Sequence, residues 1–124
     1  MKFKIDTKEK ILIVHPEIPR LDVNLSVEFA KSITDLPELK DRNLILDMAL
    51  VPEIDEAGLM AILTVYQQQY DSRRSCAITG LNNTLTGILR ESYEDLNITP
   101  TLAEAIDIVM MESLERELME GEEW

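Results

Sequence analysis

The stretch Asn43-Leu44-Ile45-Leu46-Asp47-Met48-Ala49-Leu50-Val51-Pro52-Glu53-Ile54-Asp55-Glu56-Ala57-Gly58-Leu59 decides how the chain is read. It opens on an apolar run of strand length, flanked by charge at Lys40-Asp41-Arg42, and turns at Val51-Pro52. Asp55 then stands where an N-cap belongs, just before the apolar-rich run Ala57 to Tyr70. Gly58 strips a side chain from the first turn of that helix, whose unpaired N–H groups suit an anion or a partner's carbonyls. The helix carries apolar residues on most of its faces, which predicts deep burial and puts Thr64 under cover.

Working outward, the same alternation of strand and helix recurs. Lys2 to Asp6 alternates charged and apolar residues, Thr7 to Lys10 reads as a turn, and Ile11 to Val14 is β-branched-rich until Pro16 and Pro19 stop it. These segments predict a hairpin. From Asn24 to Asp35 the period changes, with Leu25, Phe29, Ser32, Ile33 and Leu36 at helical steps and Pro37 as the stop. Ser75 to Gly80 reads as a core strand closed by glycine, and Asn82 to Ser92 as a short helix with Leu85, Ile88 and Leu89 inward. Ile98-Thr99 reads as one more brief strand. Thr101 opens a last helix with Glu104 in capping-box position and an apolar stripe of Leu102, Ala105, Ile106, Val109, Met110, Leu114 and Leu118. The order predicts an α/β sandwich: a mixed, mostly parallel β-sheet of about four or five strands, covered by about four α-helices.

The length of 124 residues predicts a single domain over 1–124, with an acidic helical extension from about Glu112. Twelve Lys and Arg against 24 Asp and Glu give a formal charge of −12, which argues against nucleic acid or an anionic membrane and suits a basic protein partner. The apolar stretch Ala57 to Tyr66 is about half the roughly 20 residues a bilayer span needs, so no membrane insertion is expected. The start has no long apolar region of a secretory signal and the lone cysteine implies no oxidising compartment, which predicts a cytoplasmic protein.

Catalytic chemistry finds little support. Cys76 lies inside an apolar strand, where burial disfavours a thiolate, and His15 follows a strand with no evident nucleophile. The four glycines, at 58, 80, 87 and 121, form no phosphate loop. Asp47, Glu53, Asp55 and Glu56 match no calcium-loop spacing and read as a solvated loop with one helix cap. Glu112, Glu115, Glu117, Glu120, Glu122 and Glu123 read as a solvated, fraying helix end at which carboxylates oppose the dipole, in preference to an acidic arm for a basic partner. The expectation is a non-enzymatic protein with no cofactor and no metal.

Several of these segments together resemble the STAS domain of bacterial anti-sigma factor antagonists and of the cytosolic tails of sulphate transporters. The family's apolar strand ending in Asp is matched by Leu44-Ile45-Leu46-Asp47, and its Ile-Asp-Ser-Ser-Gly-Leu by Ile54-Asp55-Glu56-Ala57-Gly58-Leu59. Leu21-Asp22 with Glu28-Phe29, the strand Cys76 to Leu81, and the final helix opening at Thr101 complete the pattern over roughly Lys2 to Leu114.

The resemblance implies partner switching in transcription regulation and signal transduction. The unmodified domain binds an anti-sigma factor, a kinase of the histidine-kinase-like ATPase fold. Phosphorylation of the second Ser of the motif then breaks the complex by adding about −1.5 to −2 charges to the interface. Here that phosphoacceptor position is Ala57, which has no hydroxyl, and Glu56 precedes it. Either Ala57 locks the binding-competent form, or Glu56 mimics the released one; the first is preferred, because adjacent helical positions differ by about 100°. The partner-binding surface implied is Asp55, Glu56, Ala57 and Gly58 with Asp22, and Gly58→Arg is expected to abolish binding while the fold survives. The resemblance leaves homodimerisation open. The competing reading is a cytosolic STAS subunit of an anion or lipid transport complex, or a nucleotide-binding module; the charge of −12 and the lack of a basic or Gly-rich pocket weigh against it.

Overall fold

In the computed structural model, which describes residues 1–121, five strands form one sheet: β1 (Phe3–Thr7), β2 (Ile11–Pro16), β4 (Asn43–Asp47), β6 (Cys76–Thr79) and β7 (Ile98–Thr99). Their spatial order is β1-β2-β4-β6-β7. The β1–β2 hairpin is antiparallel and every other pairing is parallel. Between them run α1 (Ser26–Thr34), a short 3₁₀ turn (Pro37–Leu39), α2 (Glu56–Asp71) and α3 (Asn83–Ser92), and α4 (Leu102–Gly121) follows the last strand. The expected α/β sandwich, with a mixed sheet and four helices, is what forms. Glu122 and Glu123, with the end of the 1–124 span, lie outside the described residues.

The continuous apolar run Ile11 to Val14 reflects a strand covered on both faces. Leu12 and Val14, with Leu44, Leu46, Cys76 and Ile78 of the neighbouring strands, face α1, α2 and α3. Phe29 and Ile33 of α1 and Ile62 and Val65 of α2 complete that core, and Phe3 meets the Phe29 ring edge-on at 6.5 Å. Ile11, Ile13, Ile45 and Ala77 face the other way, where Ala105 and Val109 of α4 cover them. Burial pushes the Cys76 thiol well above its ordinary range, in keeping with a packing role.

Three expectations about helix faces need correction. In α3, Leu89 is buried but Ile88 is half exposed. In α4, Leu102, Ala105, Ile106 and Val109 face the sheet, whereas Met110, Leu114 and Leu118 point away from it. Each four-residue step turns a side chain about 40° past the last, so the series Ile106, Met110, Leu114, Leu118 spirals off the buried face. In α2, Met60 and Thr64 are exposed, and the Thr64 hydroxyl donates to the Met60 carbonyl at 2.9 Å. The helix is buried on one side only.

Glu112 also departs from expectation. It turns inward and accepts hydrogen bonds from Tyr70 Oη at 2.6 Å and Asn97 Nδ2 at 2.9 Å. Tyr70 Oη lies 3.3 Å from the Cys76 carbonyl, and Arg116 donates to Ser75 Oγ at 3.0 Å. Burial on its own would raise the Glu112 pKa, but the bonds from Tyr70, Ser75 and Asn97 and the charge of Arg116 bring it below the ordinary carboxylate value.

Candidate functional site: the start of helix α2

The loop after β4 and the loop after β2 meet through a second sheet of two short parallel strands, β3 (Arg20–Leu21) and β5 (Glu53–Ile54). Leu21 pairs with Ile54, and the Asp55 N–H donates to the Leu21 carbonyl at 3.1 Å. This pairing brings Asp22 and Asp55, far apart in sequence, to the same place. Neither strand carries a sequence signal, because two residues are too short for periodicity.

Asp55 caps α2 as expected: its extended backbone ends the loop and its Oδ1 accepts from the Gly58 N–H at 2.9 Å. Asp22 makes the equivalent local turn, accepting from the Asn24 N–H at 3.0 Å. The two carboxylates line a cavity of about 440 Å³ with Arg20, Glu53 and, from the start of α3, Asn82 and Thr84. Asn82 caps α3 by accepting from the Leu85 N–H at 2.8 Å.

The other sequence-derived residues do not all join that cavity. Ala57 is half-buried and lies in a separate groove between α1 and α2, with Ser26, Val27, Met60 and Thr64. Glu56 is exposed and lines neither hollow. Gly58 is buried, and a Cβ there would stand 2.3 Å from the Leu21 carbonyl oxygen and 2.9 Å from Ile54 Cγ2. Its missing side chain is what lets α2 abut β3. The expectation that Gly58→Arg spares the fold is therefore corrected: any side chain here must displace β3 or the helix start.

Sequence reasoning also missed a pair on the opposite face of the sheet. His15 Nδ1 lies 3.1 Å from Asp47 Oδ2, joining the ends of β2 and β4. Asp47 Oδ1 accepts from the Ala49 N–H at 3.1 Å. Gly80, at φ +83°, closes β6 where a Cβ would stand 2.4 Å from the Ala49 nitrogen and 2.7 Å from Asp47 Oδ1. Among the described residues, no three or more His, Cys, Asp or Glu side chains group so as to hold a metal ion, and no helix is long and apolar enough to cross a membrane.

Comparison with solved structures gives the fold wide company. The Thermotoga maritima protein TM1081 superposes with a TM-score of 0.74 at 20% identity, over 87% of this chain and 94% of that one. An anti-sigma factor antagonist from Mycobacterium paratuberculosis does so with 0.72 at 14%, over 88% and 93%. The murine anion transporter Slc26a9 gives 0.66 at 17%, over 82% of this chain and 18% of the transporter. A search of curated proteins finds no match. The model of the STAS domain matches residues 2–105, which takes in every strand, α1 to α3 and the first turn of α4, and the chain belongs to the STAS domain family.

Proposed function

We propose that this chain is a non-catalytic cytoplasmic binding module in a partner-switching system, held in its binding-competent form by Ala57. Its partner on this reading is an anti-sigma factor of the histidine-kinase-like ATPase class. The observation that carries the reading is the position of Ala57. It faces the α1–α2 groove, the place in this chain where a phosphoryl group would stand between two helices, and it has no hydroxyl to accept one. Glu56 is directed elsewhere, so its carboxylate does not supply the missing charge to that groove. Asp22 and Asp55 line a separate cavity at the start of α2, where two carboxylates suit a basic partner.

The transport or nucleotide-binding reading gains little from this geometry. The 440 Å³ cavity is lined by three carboxylates and one guanidinium, a poor receptor for a phosphate or an inorganic anion. Nucleotides added to the pure protein are expected to leave its melting temperature unchanged.

Affinity capture from the native cytosol tests the proposal, with wild type beside Ala57→Ser and ATP added to half the samples. A histidine-kinase-like partner retained by wild type with or without ATP, and released from Ala57→Ser by ATP, is the expected result. Transporter subunits in place of a kinase, or release of wild type by ATP, overturn it.

A further inference from the structure

We infer that the outward face of α4 is a second docking surface, and that its occupant is a cationic amphipathic helix of a protein partner. The argument does not rest on the function proposed for the α1–α2 side. Met111, Leu114 and Leu118 are 62%, 56% and 61% exposed, on the side of α4 turned away from the sheet. With Asp107 they follow steps of four, three and four residues, the spacing of about 3.5 that lets one helix lie along another. Met110 widens the stripe beside a hollow of 420 Å³ between Lys10 and Leu114, room for an apolar anchor. Methionine suits such a surface because its unbranched, polarisable side chain adapts to what it meets.

The charge around the stripe selects the occupant. At about 100° per residue, Glu104 and Glu115 border one edge and Glu117 the other, with Asp107 in line. Glu117 pairs with Lys10. Among the described residues no cation lies within ion-pair distance of Glu104, Asp107 or Glu115. A helix with Lys or Arg beside its apolar seam meets these carboxylates while its side-chain stems cover the stripe. A second copy of this chain, at −12, would set the same carboxylates against each other. Because α4 covers the face of the sheet opposite α1 and α2, one chain could hold a partner on each side and act as a bridge.

The probe is an amidated peptide of leucine, lysine and alanine, about 15 residues or four turns long, with leucines at four-three steps. A scrambled peptide of the same composition and a version with glutamate for lysine are the controls. Titration calorimetry at low and high salt gives affinity, and backbone amide shifts give location. The patterned peptide is expected to bind, to weaken with salt, and to shift resonances of α4 and Lys10. Leu114→Glu is expected to lower affinity by about tenfold or more, and Leu114→Ser by less, with circular dichroism unchanged in both. The inference is overturned if the scrambled peptide binds equally well, if shifts fall on α1 and α2, or if neither variant alters affinity. It is also overturned if no peptide binds, or if sedimentation shows self-association that Leu114→Glu abolishes.

Discussion

The two faces of the sheet are built on different principles. Toward α1, α2 and α3 the chain places large side chains, including Phe29, Ile33, Met48 and Ile62, all fully buried. Toward α4 it places a smaller apolar layer, Ile11, Ile13, Ile45 and Ala77 against Ala105 and Val109, and then hands over to polar contacts at Tyr70, Asn97 and Glu112. The first face is held by the larger apolar core, the second by a smaller one together with hydrogen bonds to a carboxylate. Face one therefore resists pH and depends on packing; face two depends on the ionisation of a carboxylate.

The largest effect that sharpens this contrast is Phe29→Ala, expected to cost about 3–5 kcal/mol in chemical denaturation, against about 2 kcal/mol for Val109→Ala. Equal losses would erase the distinction. Next comes Gly58→Ala, where the added Cβ meets the Leu21 carbonyl and costs about 1–3 kcal/mol. Amide exchange should rise first in β3, β5 and the start of α2. A substitution without penalty would show that β3 yields freely.

Acid should strike the α4 face. The Glu112 pKa lies below its ordinary value of 4.5, so as pH falls the unfolded chain takes up the proton before the folded one. The stability from this group is complete above the ordinary value and is lost as pH falls through the folded one. Glu112→Gln should flatten that part of the stability–pH curve, and an unchanged curve would remove Glu112 as its source. Glu17, lowered by the Lys4 and Lys2 ammonium groups, shifts in the same direction and makes Glu17→Gln the control. The smallest effect belongs to Ala57→Ser, expected to change stability by less than about 0.5 kcal/mol while altering partner release. A larger loss would make Ala57 a packing residue.

Local interactions were legible because their partners lie within one helical turn. Asp55 and Thr101, the two caps read from the sequence, each stand three residues before the N–H they accept from, and both bonds form. The apolar strands were equally readable from composition alone. Thr64 and Met60 were not: a helix apolar on most sides does not declare which side the core will take, and the space beside α1 left these two exposed. The same ambiguity hid the turn of α4.

By itself the sequence determined the order of the five main-sheet strands and the four helices, the caps of α2 and α4, the absence of a hydroxyl at position 57 and the surplus of negative charge. Only the tertiary structure decided that Asp22 and Asp55 share a cavity, that Gly58 is a contact point for β3, that His15 meets Asp47 and that Glu112 faces inward. Caps and periodicity are set by neighbours along the chain, whereas these contacts join residues from different elements. Which side chains meet there depends on the sheet's register and on how closely each helix can approach it.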